Sequence, residues 1–157
     1  MSSKIHADYD KVVTKKDLTK VFLREITYEH TWNYERMGNV GFCFSMYPVL
    51  KKLYPDKKEA SEALKRHLAI FNTTPAIVSF ITGAAIAMEE KFKKAKDAGE
   101  ECDEESINAV KAALMGPLAG IGDSLIQGII IPIVLALCID LTNNGLVLGP
   151  IIYAVAM

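Results

Sequence analysis

The 46 residues from Ala112 to Met157 contain only two charged side chains, Asp123 and Asp140. At the chain-wide charged fraction of 24% this stretch would hold about eleven. A surface so poor in charge does not face water along its length, and a helix needs about 20 apolar residues to cross a bilayer. This one feature decides the fold class: an all-α membrane protein whose C-terminal half is apolar.

The front of the chain has the opposite character. Residues 1–66 hold thirteen Lys/Arg and nine Asp/Glu, so the net charge of -1 describes neither half. The opening "MSSKIHADYDKVVTKKD" is polar throughout, which argues against a cleaved secretory signal and places the N-terminus in the cytoplasm. Cys43, Cys102 and Cys138 are widely spaced and odd in number, pointing to ordinary thiols, not to disulfides or a zinc site. Thr14 and Asp17 are spaced to cap a helix carrying an apolar stripe of Leu18, Val21, Phe22 and Ile26. Trp32, Tyr34, Phe42, Phe44, Tyr47 and Tyr54 then stand among basic residues, as at a membrane–water interface or in a soluble core. A third helix is predicted from its N-cap Asp56, with Ala60, Leu64, Leu68 and Phe71 along one face.

Leu68 to Met88 runs for 21 residues without a charge, but Asn72, Thr73, Thr74 and Pro75 interrupt it. Proline removes a backbone donor and pushes the residue before it out of helical geometry, so a break is predicted here. Lysine and arginine flank both ends, which suits a re-entrant segment better than a single crossing. Backbone exposed at membrane depth is tolerated where protein or a wet cavity receives it, making Asn72 and Thr73 candidates for a polar ligand; Asn72 as a helix cap is the alternative. The charged stretch Glu89 to Glu105 is read as a solvated connector.

Gly116 to Gly128, "GPLAGIGDSLIQG", admits three readings. Gly120 to Asp123 matches the G-x-G-D string of intramembrane aspartyl proteases, but that chemistry needs a second carboxylate, and the only other acid in the region is Asp140. A second reading is a loop in which Asp123 and Ser124 cap a helix beginning at Leu125. The third is another re-entrant dip, with Gly120 and Gly122 allowing close backbone approach and Asp123 facing a polar path or a partner.

The blocks "LTKVFLREITYEHTWNYERMGNVGFCFSMYPVLKKLYP", "RHLAIFNTTP", "AALMGPLAGIGDS" and "GPIIYAVAM" together resemble the IID membrane component of the bacterial mannose/fructose/sorbose-family phosphotransferase system. The resemblance runs from about Leu18 to the last residue. It implies a non-catalytic subunit that joins a IIC subunit in the cytoplasmic (inner) membrane to carry a hexose-type sugar inward. Soluble IIB, served by IIA, would phosphorylate the sugar on the cytoplasmic side. It implies a hetero-oligomer in membrane lipid, with no cofactor, metal or nucleic acid.

On this reading residues 1–66 form a cytoplasmic or interfacial amphipathic region. Residues 67–157 form a membrane region of re-entrant and transmembrane helices. Asn72, Thr73, Asp123 and Ser124 are the expected sugar contacts. Trp32, Asn33, Glu35 and Arg36 are assigned to docking on IIC or bracing the cavity, with a surface helix carrying spaced charges as the alternative for Glu35. His6, His30 and His67 are expected to carry no phosphoryl group, His67 belonging to a basic helix end. Many family members have an aromatic residue and an arginine where this chain has Gln127 and Ile131, which leaves the sugar less determined than the fold. Family subunits are also longer, so the chain reads as the N-terminal part of a split or truncated subunit. The competing functions are the aspartyl protease and a non-transporting membrane scaffold or remnant.

Overall fold

The computed structural model describes residues 12–156, and among them the regular structure is helical. Four helices form a packed body: α1 (Lys15–Glu25), α2 (Asn39–Leu53), α3 (Lys57–His67) and α4 (Val78–Asp97). Two more, α5 (Glu105–Gly122) and α6 (Ile131–Asn143), are joined by a π-helical stretch, Asp123–Ile130, and α7 (Leu148–Ala156) folds back on α6.

The predicted starts of α1 and α3 are where the sequence places them. The Thr14 amide and hydroxyl both donate to the Asp17 carboxylate, at 3.0 and 2.7 Å. Asp56 accepts from the amides of Lys58 and Glu59, satisfying two of the free donors that every helix start leaves. The core between α1 and α4 is built on Tyr28, Phe42, Met46, Leu50, Phe71 and Ile81. Of the α1 stripe, however, only Val21 is buried, while Leu18, Phe22 and Ile26 are exposed.

The aromatic cluster divides in the same way. Phe42 and Tyr54 enter the core, whereas Trp32, Tyr34, Phe44 and Tyr47 lie on the surface, with the Arg24 guanidinium over the Phe44 ring at 4.5 Å.

Two expectations are corrected. Of Glu89 to Glu105 only residues 98–104 form the solvated connector: α4 continues to Asp97 and Glu89 is wholly buried, because it extends the inward spacing of Val78, Ile81, Thr82, Ala85 and Ile86. The glycine-rich motif is neither a loop nor a second dip. Glu105–Asn143 is one helix of 39 residues, long and apolar enough to cross a membrane, and it passes through Pro117 and all four glycines. In an apolar medium the backbone satisfies itself internally, which favours helix even through residues that break helices in water. Consequently Asp123 and Ser124 cap no helix at Leu125. The break ahead of Pro75 does form: residues 72–74 are irregular, and one 3-10 turn, Pro75–Ile77, leads into α4.

Candidate functional site

The break before α4 and the glycine-rich part of the long helix meet. The Thr74 hydroxyl sits 2.7 Å from Asp123 Oδ1 and 3.2 Å from the Ala119 carbonyl, so it ties the break before α4 to the end of α5. Gly122 makes this approach possible, since a Cβ there would lie 2.6 Å from both Thr74 Cβ and Thr74 Oγ1. Gly120 has no such role, its side-chain position being open to 4 Å. The π-helical stretch begins at Asp123 itself, a local change of helix geometry of the kind that often marks functional positions.

Around this junction the other predicted residues take different places. The Asn72 side chain is exposed, and its backbone amide points at Met115 Sδ, 3.3 Å away. Thr73 is buried, and among the described residues its hydroxyl has no hydrogen-bond partner. Ser124 is exposed beside Asp123. The arrangement offers an amide, hydroxyls and a carboxylate along one broken stretch of backbone, groups able to donate to and accept from a polyol.

Trp32, Asn33, Glu35 and Arg36 lie apart from the junction, in a loop and not a surface helix. Asn33 organises that loop: its amide donates to the Met37 carbonyl and to Asn39 Oδ1, and its oxygen accepts from the Arg36 amide. Met37 has a φ of 59°, a left-handed conformation that bonds on both sides of it hold in place, and Gly38 donates to the Phe71 carbonyl at 2.8 Å. Glu35 and Arg36 pair at 3.2 Å on the surface, and Trp32 packs edge-on to the highly exposed Tyr34.

A buried ion cluster, absent from the sequence reading, holds α5 to the body. Glu89 accepts from Tyr54 at 2.6 Å, from Arg66 at 2.9 and 3.1 Å, and from His67 Nε2 at 2.8 Å. With Nε2–H donating, His67 Nδ1 is free to accept from Lys111 Nζ, 3.4 Å away, and that ammonium also lies 4.8 Å from the Phe42 ring centre. Arg66 pairs in addition with Glu104, just before α5.

Burial alone would raise the Glu89 carboxyl, but the hydrogen bonds from His67 and Arg66 outweigh it and hold the group at about 2. Burial pushes His67 down, the bond to Glu89 opposing. His67 does stand in the basic last turn of α3, but as an enclosed imidazole whose burial disfavours the charged form. The signal for this cluster was periodicity: Glu89 and Lys111 both occupy inward positions, the latter four residues after the buried Ile107. His30 is exposed in a 3-10 turn, and His6 lies outside the described residues.

The geometry does not assemble an aspartic dyad. Asp123 and Asp140 are 17 residues apart on one continuous helix. At a rise of about 1.5 Å per residue that is roughly 25 Å along its axis, too far to share a proton. Among the described residues no group of three or more His, Cys, Asp or Glu side chains is placed to hold a metal ion.

Comparison with known proteins converges on one family. The sequence profile of the PTS system mannose/fructose/sorbose family IID component matches residues 12–157. The mannose-specific EIID component of Escherichia coli is 41% identical over 145 residues, covering 92% of this chain and 50% of that protein. The sorbose-specific EIID component of Klebsiella pneumoniae is 43% identical, covering 91% and 51%. Its counterpart from Lacticaseibacillus casei is 44% identical, covering 92% and 50%. The chain therefore spans about half the length of the curated relatives it matches. Among solved structures, a chain of the mannose transporter ManYZ in complex with a microcin superposes with a TM-score of 0.84 at 39% identity, covering 92% of this chain and 52% of that one.

Proposed function

Because the chain belongs to the mannose/fructose/sorbose family of phosphotransferase-system IID components, we propose that it supplies the IID share of a sugar translocation unit, paired with a IIC-type membrane subunit. It is an all-helical membrane protein, and its part in transport is positional. The sugar, a hexose-type substrate, passes inward and receives its phosphate from soluble IIB, itself charged by IIA. Residues 1–66 lie on the cytoplasmic or interfacial side and residues 67–157 form the membrane region.

The observation that carries this reading is the Thr74–Asp123 contact at 2.7 Å, which joins the polar break at residues 72–74 to a helix that, alone among the described residues, is long and apolar enough to cross the membrane. Broken backbone beside a carboxylate at membrane depth belongs where it lines a polar path. Asn72, Thr73, Asp123 and Ser124 are assigned to sugar contact there, Asn72 because its exposed amide both donates and accepts. Trp32, Glu35 and Arg36 project from a braced loop and are assigned to docking on IIC, Asn33 to bracing the loop itself. The buried Glu89–His67–Lys111 cluster fixes the register of α5 on the body.

The test is co-expression of the chain, joined to sequence corresponding to the other half of its relatives, with a IIC-type subunit. Affinity purification in detergent should recover both subunits, and the pair should bind sugar. Asn72→Ala should weaken sugar binding while the pair still assembles; unchanged sugar affinity would remove Asn72 from the site.

A further inference from the structure

A groove of about 220 Å³ runs between α1 and α4, away from the Thr74–Asp123 junction. Leu18 and Phe22 form one wall, Ile86 closes part of the floor, and Glu25, Ser79 and Gly83 line it. Three features of this groove are left incomplete by the chain itself.

Glu25 is 7% exposed, and while one of its oxygens accepts from Ser79 at 2.5 Å, the other has no hydrogen-bond partner among the described residues. Leaving a buried carboxylate oxygen unpaired is costly, so a missing donor or cation is implied. Gly83 lies in mid-helix, where glycine destabilises relative to alanine, yet a Cβ there would meet nothing within 4 Å. No contact within the described residues requires that glycine. Finally, Phe22 on the α1 wall is 58% exposed, and Phe80, next to Ser79 on α4 but outside the groove lining, is 70% exposed.

A small residue set between apolar ridges is how helices approach closely in membranes. A lipid tail would fill the notch but bring no donor to Glu25. Resting on the transport reading above, we infer that the α1–α4 groove is the seat for an apolar helix of the IIC-type partner, packed against Gly83 and presenting one lysine or arginine to Glu25.

The test uses the full chain co-expressed with its IIC-type subunit. A photo-crosslinking residue replaces Phe22, Phe80 or, as a control on α3, Glu62. Crosslinks from positions 22 and 80 should fall on one IIC helix close to a basic residue, and none should form from position 62. Gly83→Leu should leave the chain's own melting unchanged or raised, since a Cβ there meets nothing within 4 Å and leucine favours helix, but reduce recovered IIC at least about tenfold, equivalent to about 1.4 kcal/mol. Glu25→Gln, which keeps an acceptor for Ser79, should also reduce recovery and should abolish its salt dependence.

Recovery of IIC with crosslinks from positions 22 and 80 going only to lipid, or into residues 1–11 of the same chain, would overturn the groove as a docking seat and leave the transport reading standing. Undiminished recovery in Gly83→Leu would do the same. Failure of the unmodified chain to recover any IIC-type subunit would overturn both.

Discussion

The Thr74 hydroxyl donates to the Asp123 carboxylate across 49 residues of sequence, at 2.7 Å. This bond places the proline-induced break and the start of the π-helical stretch at one point. Thr74→Val keeps the shape and removes the donor. Since a hydrogen bond to a charged group contributes about 1.5–3 kcal/mol, and Asp123 is partly solvated, a loss near the lower figure is expected. Thermal denaturation in detergent measures it; a change indistinguishable from zero would mean that the contact orders nothing.

The glycines of the motif should separate sharply. Gly122→Ala drives a methyl group into Thr74 and should loosen α5 from the body, lowering the melting temperature. Gly116→Ala and Gly120→Ala enter open space and should be neutral or stabilising, by up to about 1 kcal/mol. Equal effects at all three positions would contradict the close approach at Gly122.

The buried cluster sets the response to acid. The Glu89 carboxyl is depressed from 4.5 to about 2, so its contribution is complete above the unfolded value and is lost as pH falls toward the folded one. His67 is depressed below 6.5 as well, so in acid the unfolded chain takes up that proton first, and stability falls from there downward. Both slopes have the same sign: stability should decline steadily from about pH 7 to about pH 3. Glu89→Ala leaves Arg66 with Glu104 alone and takes the buried acceptor from Tyr54 and His67, and should cost about 3 kcal/mol or more. A flat acid profile between those limits would show that neither group titrates on unfolding.

His67 is not placed to carry phosphate. Both ring nitrogens of His67 are engaged, Nε2 with Glu89 and Nδ1 with Lys111, and the ring is fully buried. Incubation of the complex with phosphorylated IIB should leave no acid-labile phosphate on this chain. Label lost on His30→Gln or His67→Gln would reverse that assignment.

Much of the fold was legible because its signals are local. Thr14 with Asp17, and Asp56 before α3, are capping patterns whose partners lie within three residues, and Pro75 breaks the chain through its own ring. The long apolar helix was legible from missing charge, but not its continuity through "GPLAGIGDS", because glycine and proline were weighed as they act in water and not where the backbone must satisfy itself.

The site divides in the same way. Asn72, Thr73 and Asp123 stand out as polar groups in apolar surroundings, whereas Thr74, which makes the bond, is marked in the sequence only by its place before Pro75. Glu89 was hidden because it stands in one run of charges with Glu90 and Lys91; only the spacing back to Ile81 and Ala85 shows that it points inward. Its partners are Tyr54 at the end of α2 and Arg66 and His67 of α3, with Lys111 of α5 reached through His67, and no local window contains that information.

On the transport reading, this chain helps to form a sugar path with a IIC-type partner. The most direct measurement is phosphorylation of radiolabelled hexose by membranes carrying the completed IID chain and IIC, supplied with phosphorylated IIB, in cells lacking other transporters of this kind. Sugar phosphate should accumulate only when both membrane subunits are present, and Asp123→Asn should reduce it by about tenfold or more, in keeping with a loss of roughly 1.4 kcal/mol or more at the junction. Equal accumulation without this chain, or an Asp123→Asn complex as active as the parent, would contradict the claim.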